Sequence, residues 1–501
     1  MARCQGKFIF PLDDVYIHLA LAEKLAHGHY GINLGEYASP SSSPLWSFLI
    51  TPFAGTRFHI YVPLVLDTIF GIMSAGLIGT LVSRLTSTSN ERARIPVWQQ
   101  LLLCLLLILA ADLPSLTVMA MEHGLQVLLT ICCAFGFVET MRGRPIPGWV
   151  IAAAIVAPVV RYEDLSITLA MSLLLFALGQ RLKAALTFGA SLVPLAVFSV
   201  FLHTLGLPPL PTSVLQKSET ALDHSPLASL LSVVKNNLHA VLHDPLHHGP
   251  VLLLFFTCLW LTIKSRTLLQ RAVFLGPTLV CTLQILLGRF GWLHRYEVYA
   301  TIFATMIVTA WALQTIASTE TNSIAFPRLA APNPMMAGLF LFLLLCGGIS
   351  IKATGETPFC SQAIYRQQYQ LGRFLTQFYN GNVMLNDLGA MSFQRRPGTY
   401  VFDLAGLGSL EAQQQRHMDA PWIQAMADKH SIDLAIVYKN MWPLPATWTY
   451  LGSVCERKRG FVVLTSRCVA LYSIRSDKDA LIRHDLDAFV HTLPPGVWYQ
   501  Q

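Results

Sequence analysis

Ten stretches of this chain are apolar and long enough, or nearly long enough, to lie across a bilayer: Ile60–Val82, Val97–Ala111, Val118–Val138, Trp149–Val160, Leu165–Gly179, Ala184–Gly206, Gly249–Ile263, Leu268–Gly288, Tyr296–Ala317 and Met335–Ile351. A hydrocarbon core of ~30 Å takes ~20 apolar residues per helix, so the pattern predicts about ten crossings. A single soluble domain is excluded. Composition points the same way, with 53% of residues hydrophobic and 13% charged, about half the ~25% charge of soluble domains.

Basic residues fall on alternate loops: Arg84, Arg92 and Arg94; Arg142 and Arg144; Arg181 and Lys183; Lys264, Arg266 and Arg271; Arg328. Those loops are predicted cytoplasmic. The opposite ends carry Asp13 and Asp14, Asp112, the run Arg161-Tyr162-Glu163-Asp164, the Leu207–His248 loop and the run from Arg289 to Glu297. These are predicted extracytoplasmic, together with everything after Ile351. Leu45–Gly55 is too short to span and reads as a membrane-dipping continuation of the leader. The net charge of +7 is spread over short loops without a patch, so nucleic-acid binding has no support. Six cysteines (Cys104, Cys132, Cys133, Cys258, Cys281, Cys346) lie in apolar segments as small buried hydrophobes, and no metal-type Cys/His spacing occurs.

After Ile351 the composition turns polar. Thr354–Pro358 reads as a linker, dividing a membrane domain (1–354, with 1–59 an outer loop) from a soluble extracytoplasmic α/β domain (355–501). In the latter, Tyr365–Tyr379 and Leu410–His430 have helical spacing, and Asn382–Asn386, Thr399–Asp403, Leu434–Tyr438 and Phe461–Ile474 read as strands. A strand-turn-strand across Arg457–Gly460 would bring Cys455 and Cys468 near enough to pair in an oxidising compartment; two buried thiols are the alternative.

Two adjacent carboxylates, Asp13 and Asp14, raise each other's pKa, which suits one to take a proton from a hydroxyl while the other orients a ligand or a divalent cation. The same residues also suit a helix N-terminus. Downstream of the pair lies an ordered run: His27-Gly28-His29-Tyr30-Gly31-Ile32-Asn33, Gly35-Glu36, then Ser39-Pro40-Ser41-Ser42-Ser43-Pro44-Leu45-Trp46. Over about fifty residues it resembles the first extracytoplasmic loop of the GT-C glycosyltransferases, most of all their bacterial branch that uses lipid-linked sugars, which includes the arabinofuranosyltransferases; the lipid A aminoarabinose transferase is a more distant likeness. The resemblance implies a polytopic helical GT-C fold and an inverting transfer, from a polyprenyl-phosphate-linked sugar to a glycan, lipid or protein acceptor of the cell envelope, at the outer (periplasmic) face of the inner membrane. It implies Asp13 as catalytic base with Asp14 beside it, and Tyr16 and Glu36 at the substrate. That family places a transmembrane helix before the acidic pair, where this sequence has only a short apolar stretch, so a missing first helix or an unusual start is expected.

Arg161 and Glu163 follow an apolar segment of about a dozen residues, too short at ~1.5 Å per residue to cross the core, so these charges are expected deep or in a cavity, as are Glu122 and His123. An ion pair between neighbours is the plainer account. The RFGWLHRYE run (Arg289 to Glu297) offers His294 and Arg295 to a phosphate or sugar, or simply an interfacial aromatic belt. Lys217, in Pro211–Lys217, matches a family segment in which a lysine sits near the donor. Strand-end turns at Asn386–Ala390 and Asp403–Gly408 read as capped turns before ligand sites, and His243, His247 and His248 as a solvated loop. The competing class is a transporter or flippase, which would show inverted repeats and charges at mid-membrane depth. A sensor would need a cytoplasmic output domain.

Overall fold

The structure is a computed structural model describing residues 1–87, 95–217, 226–243, 245–320, 334–415, 417–457 and 464–501. Among these residues six helices are long and apolar enough to cross a membrane: His59–Thr86, His123–Met141, Arg181–Thr204, Leu268–Leu287, Val298–Thr315 and Met335–Gln377. A seventh span arises if Val97–Ala110 and Leu113–Met119, bent by 41°, are taken as one. The bend lies at Asp112, whose φ of 49° is left-handed and ends the first helix.

The expected ten crossings are thereby corrected to six or seven, and the reason is length. Gly148–Val160 and Leu165–Ala177 have 13 residues each, about 20 Å of helix against a core of ~30 Å. His248–Lys264 is likewise a shorter apolar helix. The linker expected at Thr354–Pro358 is also helical, because helix Pro334–Arg366 runs through Gly355 and Pro358. Of the basic residues used for topology, Arg92, Arg94 and Arg328 lie outside the described residues.

The chain forms two compact units, each assembled from separate stretches of sequence. The helical unit is Leu64–Ala196 with Leu231–Gly355; the sheet unit is Met1–Pro63, Val197–Leu230 and Glu356–Gln501. Within the helical unit, His123–Met141 and Val298–Thr315 have 78% and 83% of their apolar windows buried, which makes them its centre. Small residues allow that packing: a Cβ on Gly276 would lie 2.6 Å from the Phe137 ring. Arg84 and Arg142, on two loops predicted to share a face, both bond the buried carboxylate of Glu139 (3.2 and 2.9 Å), with Arg144 at 3.8 Å. The loops do meet on one side.

The sheet unit is built on six strands: β1 (Val383–Leu385), β2 (Val401–Asp403), β3 (Leu434–Val437), β4 (Thr449–Glu456), β5 (Cys468–Ser473) and β6 (Val497–Gln500), in the order β2-β1-β3-β5-β4-β6. β2, β1 and β3 are parallel, and the remaining pairings are antiparallel. One face is buried by Met384, Phe402, Ala435 and Val437 against Ile423 and Ala427 of helix Ala420–Lys429. The expected single helix Leu410–His430 is two, Leu410–Gln414 and Ala420–Lys429; β6 and helix Asp479–Val490 were not foreseen. β5 begins at Cys468, and 461–463 lie outside the described residues.

Cys455 and Cys468 are register partners on β4 and β5 and form a disulfide. Their separation of 13 residues closes a loop whose crosslink contributes about 3 kcal/mol in the chain-entropy account. Native protein isolated from cells with free thiols blocked should show Cys455 and Cys468 unalkylated and a mobility change on reduction. Full alkylation of both without reductant would remove the bond.

Candidate functional site

In the sheet unit, the leader runs through Pro11 and Leu12 into helix Asp14–Leu25, with Asp13 as the residue before it. The Asp13 carboxylate makes no bond to its own helix. It accepts instead from the backbone N–H groups of Gly389 (3.0 Å) and Ala390 (2.8 Å), at the start of the short turn Gly389–Ser392 after β1. Only glycine fits at 389, since a Cβ there would collide with the backbone oxygen and carboxylate of Asp13. The order β2-β1-β3 reverses direction beside β1, so the contact sits at the carboxyl ends of the parallel strands, where open α/β sheets place their crevice.

Asp387 shares this crevice. Its carboxylate accepts from the Tyr438 hydroxyl (2.5 Å) and Gln368 Nε2 (3.1 Å), while Asn386 Oδ1 accepts from the Tyr438 N–H (2.7 Å). Loss of water raises Asp13 to about 8; the nearby charges of Asp387 and Asp14 act in the same direction, against the two backbone N–H bonds. Burial raises Asp387 as well. Asp403 is a capped turn as expected, accepting from the N–H groups of Ala405, Leu407 and Gly408.

The rest of Met1–Pro63 also belongs to the sheet unit. Asn33 completes the open edge of β2 by bonding both Val401 N–H (2.9 Å) and Val401 C=O (2.8 Å), as a peptide of a neighbouring strand would. Glu36 accepts from the Tyr400 hydroxyl (2.6 Å) and the Leu410 N–H (3.2 Å). The serine run is buried, with Ser41 and Ser47 each 3.2 Å from His18 Nδ1 and Trp46 fully enclosed. Tyr16 is buried, takes a bond from the Phe10 N–H (3.2 Å), and lines a cavity of about 260 Å³ with Tyr61, Tyr369 and Arg373. Thr212 fixes the Pro211–Lys217 segment by donating to the Ser39 carbonyl (2.5 Å); the Lys217 side chain lies outside the described residues.

In the helical unit, the second group of expected residues comes together. Arg161 donates to Glu122 (2.8 Å) and in bidentate fashion to Glu163 (2.6 and 3.2 Å), with Arg161 and Glu122 enclosed and Glu163 partly open. Arg295 donates to the Tyr296 hydroxyl (2.8 Å) and to Met121 Sδ (2.8 Å), and the Tyr296 ring lies 4.8 Å from the Arg295 guanidinium and 5.5 Å from that of Arg161. Gly291, Trp292, Leu293 and His294 are all left-handed (φ 87°, 50°, 64° and 61°). Three consecutive non-glycine residues in that region store backbone strain, a pattern concentrated at functional sites. The turn brings His294 to Glu297 (2.9 Å), beside a small cavity that Asp112 and Ser350 also line. Burial draws the His294 pKa down, but Glu297 and Asp112 outweigh it and the net shift is upward.

Asp13, Asp14, Tyr16, Glu36 and the Lys217 backbone thus belong to the sheet unit, and Glu122, Arg161, Glu163, His294 and Arg295 to the helical unit. Sequence reasoning missed Gln368 and Tyr438, which surround Asp387; Asp387 itself carried the one usable signal, its place just after a strand. His243 and His248 lie in helices, and His248 is buried against Phe290, which corrects the solvated loop. Among the described residues no group of three or more His, Cys, Asp or Glu side chains is placed to hold a metal.

Long apolar helices and an α/β sheet define a multi-pass membrane protein with a C-terminal mixed-sheet domain. Residues 362–472 match a domain of unknown function, DUF8728, a stretch running from helix Pro334–Arg366 through β5. No curated protein and no solved structure matches the chain.

Proposed function

We propose that the protein is a membrane glycosyltransferase that moves a sugar, with inversion, from a polyprenyl-phosphate carrier to a cell-envelope acceptor at the outer face of the inner membrane. The observation that carries this reading is the state of Asp13. The residue that the loop resemblance assigns as base has a carboxylate gripped by two backbone N–H groups, beside a second carboxylate, with its pKa raised to about 8. A general base works best with a pKa near the operating pH. Asp13 takes the acceptor hydroxyl proton as the oxygen attacks the anomeric carbon; the bond to the carrier phosphate breaks and the phosphate leaves with the electron pair. The Cys455–Cys468 disulfide supports an oxidising, extracytoplasmic setting for the sheet unit.

The pH dependence tests the base. Because Asp13 rises from 3.8 to about 8, its contribution to stability is full below about pH 4 and is lost as pH rises through about 8. Activity runs the opposite way, since the base must be ionised. Transfer rate should climb on a limb centred near pH 8. A rate that is flat from pH 6 to 9, or a limb near pH 4, would sink the assignment.

A further inference from the structure

A second hollow in the sheet unit, of about 180 Å³, is ringed by Lys24, Arg395 and Arg396 together with Asn33, Ser392 and Thr399, and no acidic side chain lines it. It opens where the Ile32–Gly35 turn of the leader meets the loop that follows Gly389–Ser392. Arg395 is the unusual member. It is 7% exposed, and its guanidinium is held by two backbone carbonyls, Leu375 (2.6 Å) and Gly381 (2.7 Å). Its Nε is buried without a hydrogen-bond partner.

Among the described residues no carboxylate forms an ion pair with Lys24, Arg395 or Arg396. Glu23, the neighbour of Lys24, feels its charge without a direct ion pair and accepts from the Gln394 N–H (3.3 Å), and Arg396 donates its Nε to the Thr376 carbonyl (3.2 Å). A buried charge without a countercharge is costly, and native folds pair it or give it a ligand. Burial, with Arg396 adding to it, draws Arg395 down to about 10, the direction expected of a cation that lacks a counterion.

We propose that this hollow is a phosphate-binding site. Arg395 is the fixed cationic floor, and Lys24 and Arg396 are the adjustable donors, with the Ser392 and Thr399 hydroxyls close by. Three positive charges around so small a volume favour a doubly charged phosphate over a single carboxylate. The phosphate belongs to a phosphorylated saccharide or to a lipid headgroup, and these two sources share the same recognition chemistry. The proposal does not depend on the transferase reading.

The test uses the full chain in phosphatidylcholine nanodiscs, titrated calorimetrically with inorganic phosphate, glucose 1-phosphate and glucose, and in a separate arm with dihexanoyl phosphatidic acid and dihexanoyl phosphatidylcholine. Saturable binding is expected for inorganic phosphate and for one phosphorylated probe, but not for glucose or dihexanoyl phosphatidylcholine. Lys24→Ala and Arg396→Ala should each weaken it by about tenfold, the scale of one charge-assisted bond. Arg396→Lys should retain most of it. Tighter binding of glucose 1-phosphate points to a saccharide, and of the short-chain phosphatidic acid to a headgroup. Binding is read without turnover, so failure of transfer leaves it standing. No saturable uptake of any phosphate probe, or equal uptake by wild type and a folded Lys24→Ala/Arg396→Ala double variant, overturns the proposal.

Discussion

Replacing Asp13 by Asn should lower sugar transfer by about 100- to 10,000-fold, the range that a positioned base contributes. The substitution keeps the shape of the side chain and removes its capacity to take a proton. It also disturbs the grip of the Gly389–Ser392 turn, since an amide offers only one acceptor oxygen where the carboxylate meets the N–H groups of both Gly389 and Ala390. One of those donors loses its partner, at a cost of about 1–3 kcal/mol. Activity is therefore compared at matched amounts of folded protein. Gly389→Ala provides the complementary variant, because its methyl group would displace the Asp13 carboxylate while leaving its chemistry intact. It should lower transfer as well, whereas full activity in either variant would refute the role.

The second large effect is expected at Arg161. Its guanidinium balances Glu122, which is fully enclosed, and is held in two-point contact by Glu163. Arg161→Ala removes the cation and leaves Glu122 without it in an apolar helical unit, a change that typically costs about 3–5 kcal/mol. Thermal unfolding in detergent should show the loss, and adding Glu122→Gln should restore part of it, because the double variant carries one fewer buried charge. A loss below about 1 kcal/mol would place the triad among ion pairs that contribute little.

The parts of the fold written in apolar length and period were legible. Apolar segments located the helices, and short apolar runs located β1, β2 and β3. Counting crossings failed where a segment such as Trp149–Val160 is apolar throughout yet too short to span, since hydropathy alone does not distinguish a buried helix from a crossing. The linker failed because Gly355 and Pro358 are tolerated inside a long helix. Arg84 and Arg142, expected on loops of one side, meet at Glu139.

The candidate sites were legible only in part. Asp13 and Glu36 stand out in the sequence, but their partners Gly389 and Tyr400 are more than 360 positions away. No local pattern marks such contacts. Asn33 completes a sheet edge at Val401, a partner 368 positions away that nothing in its own neighbourhood of the sequence marks. Arg395 looks like one of many surface arginines until the fold buries it without a carboxylate. The left-handed run ending at His294 is likewise set by tertiary context, with Gly291 its only local sign.

The central claim is tested most directly by reconstituting the wild-type chain in liposomes with polyprenyl-phosphate-linked radiolabelled sugars and a crude cell-envelope acceptor fraction. The account expects label to move onto the acceptor, with release of unglycosylated polyprenyl phosphate and an inverted anomeric configuration in the product. Movement of intact lipid-linked sugar or free solute across the bilayer, with no label on any acceptor, would contradict it and favour a transporter.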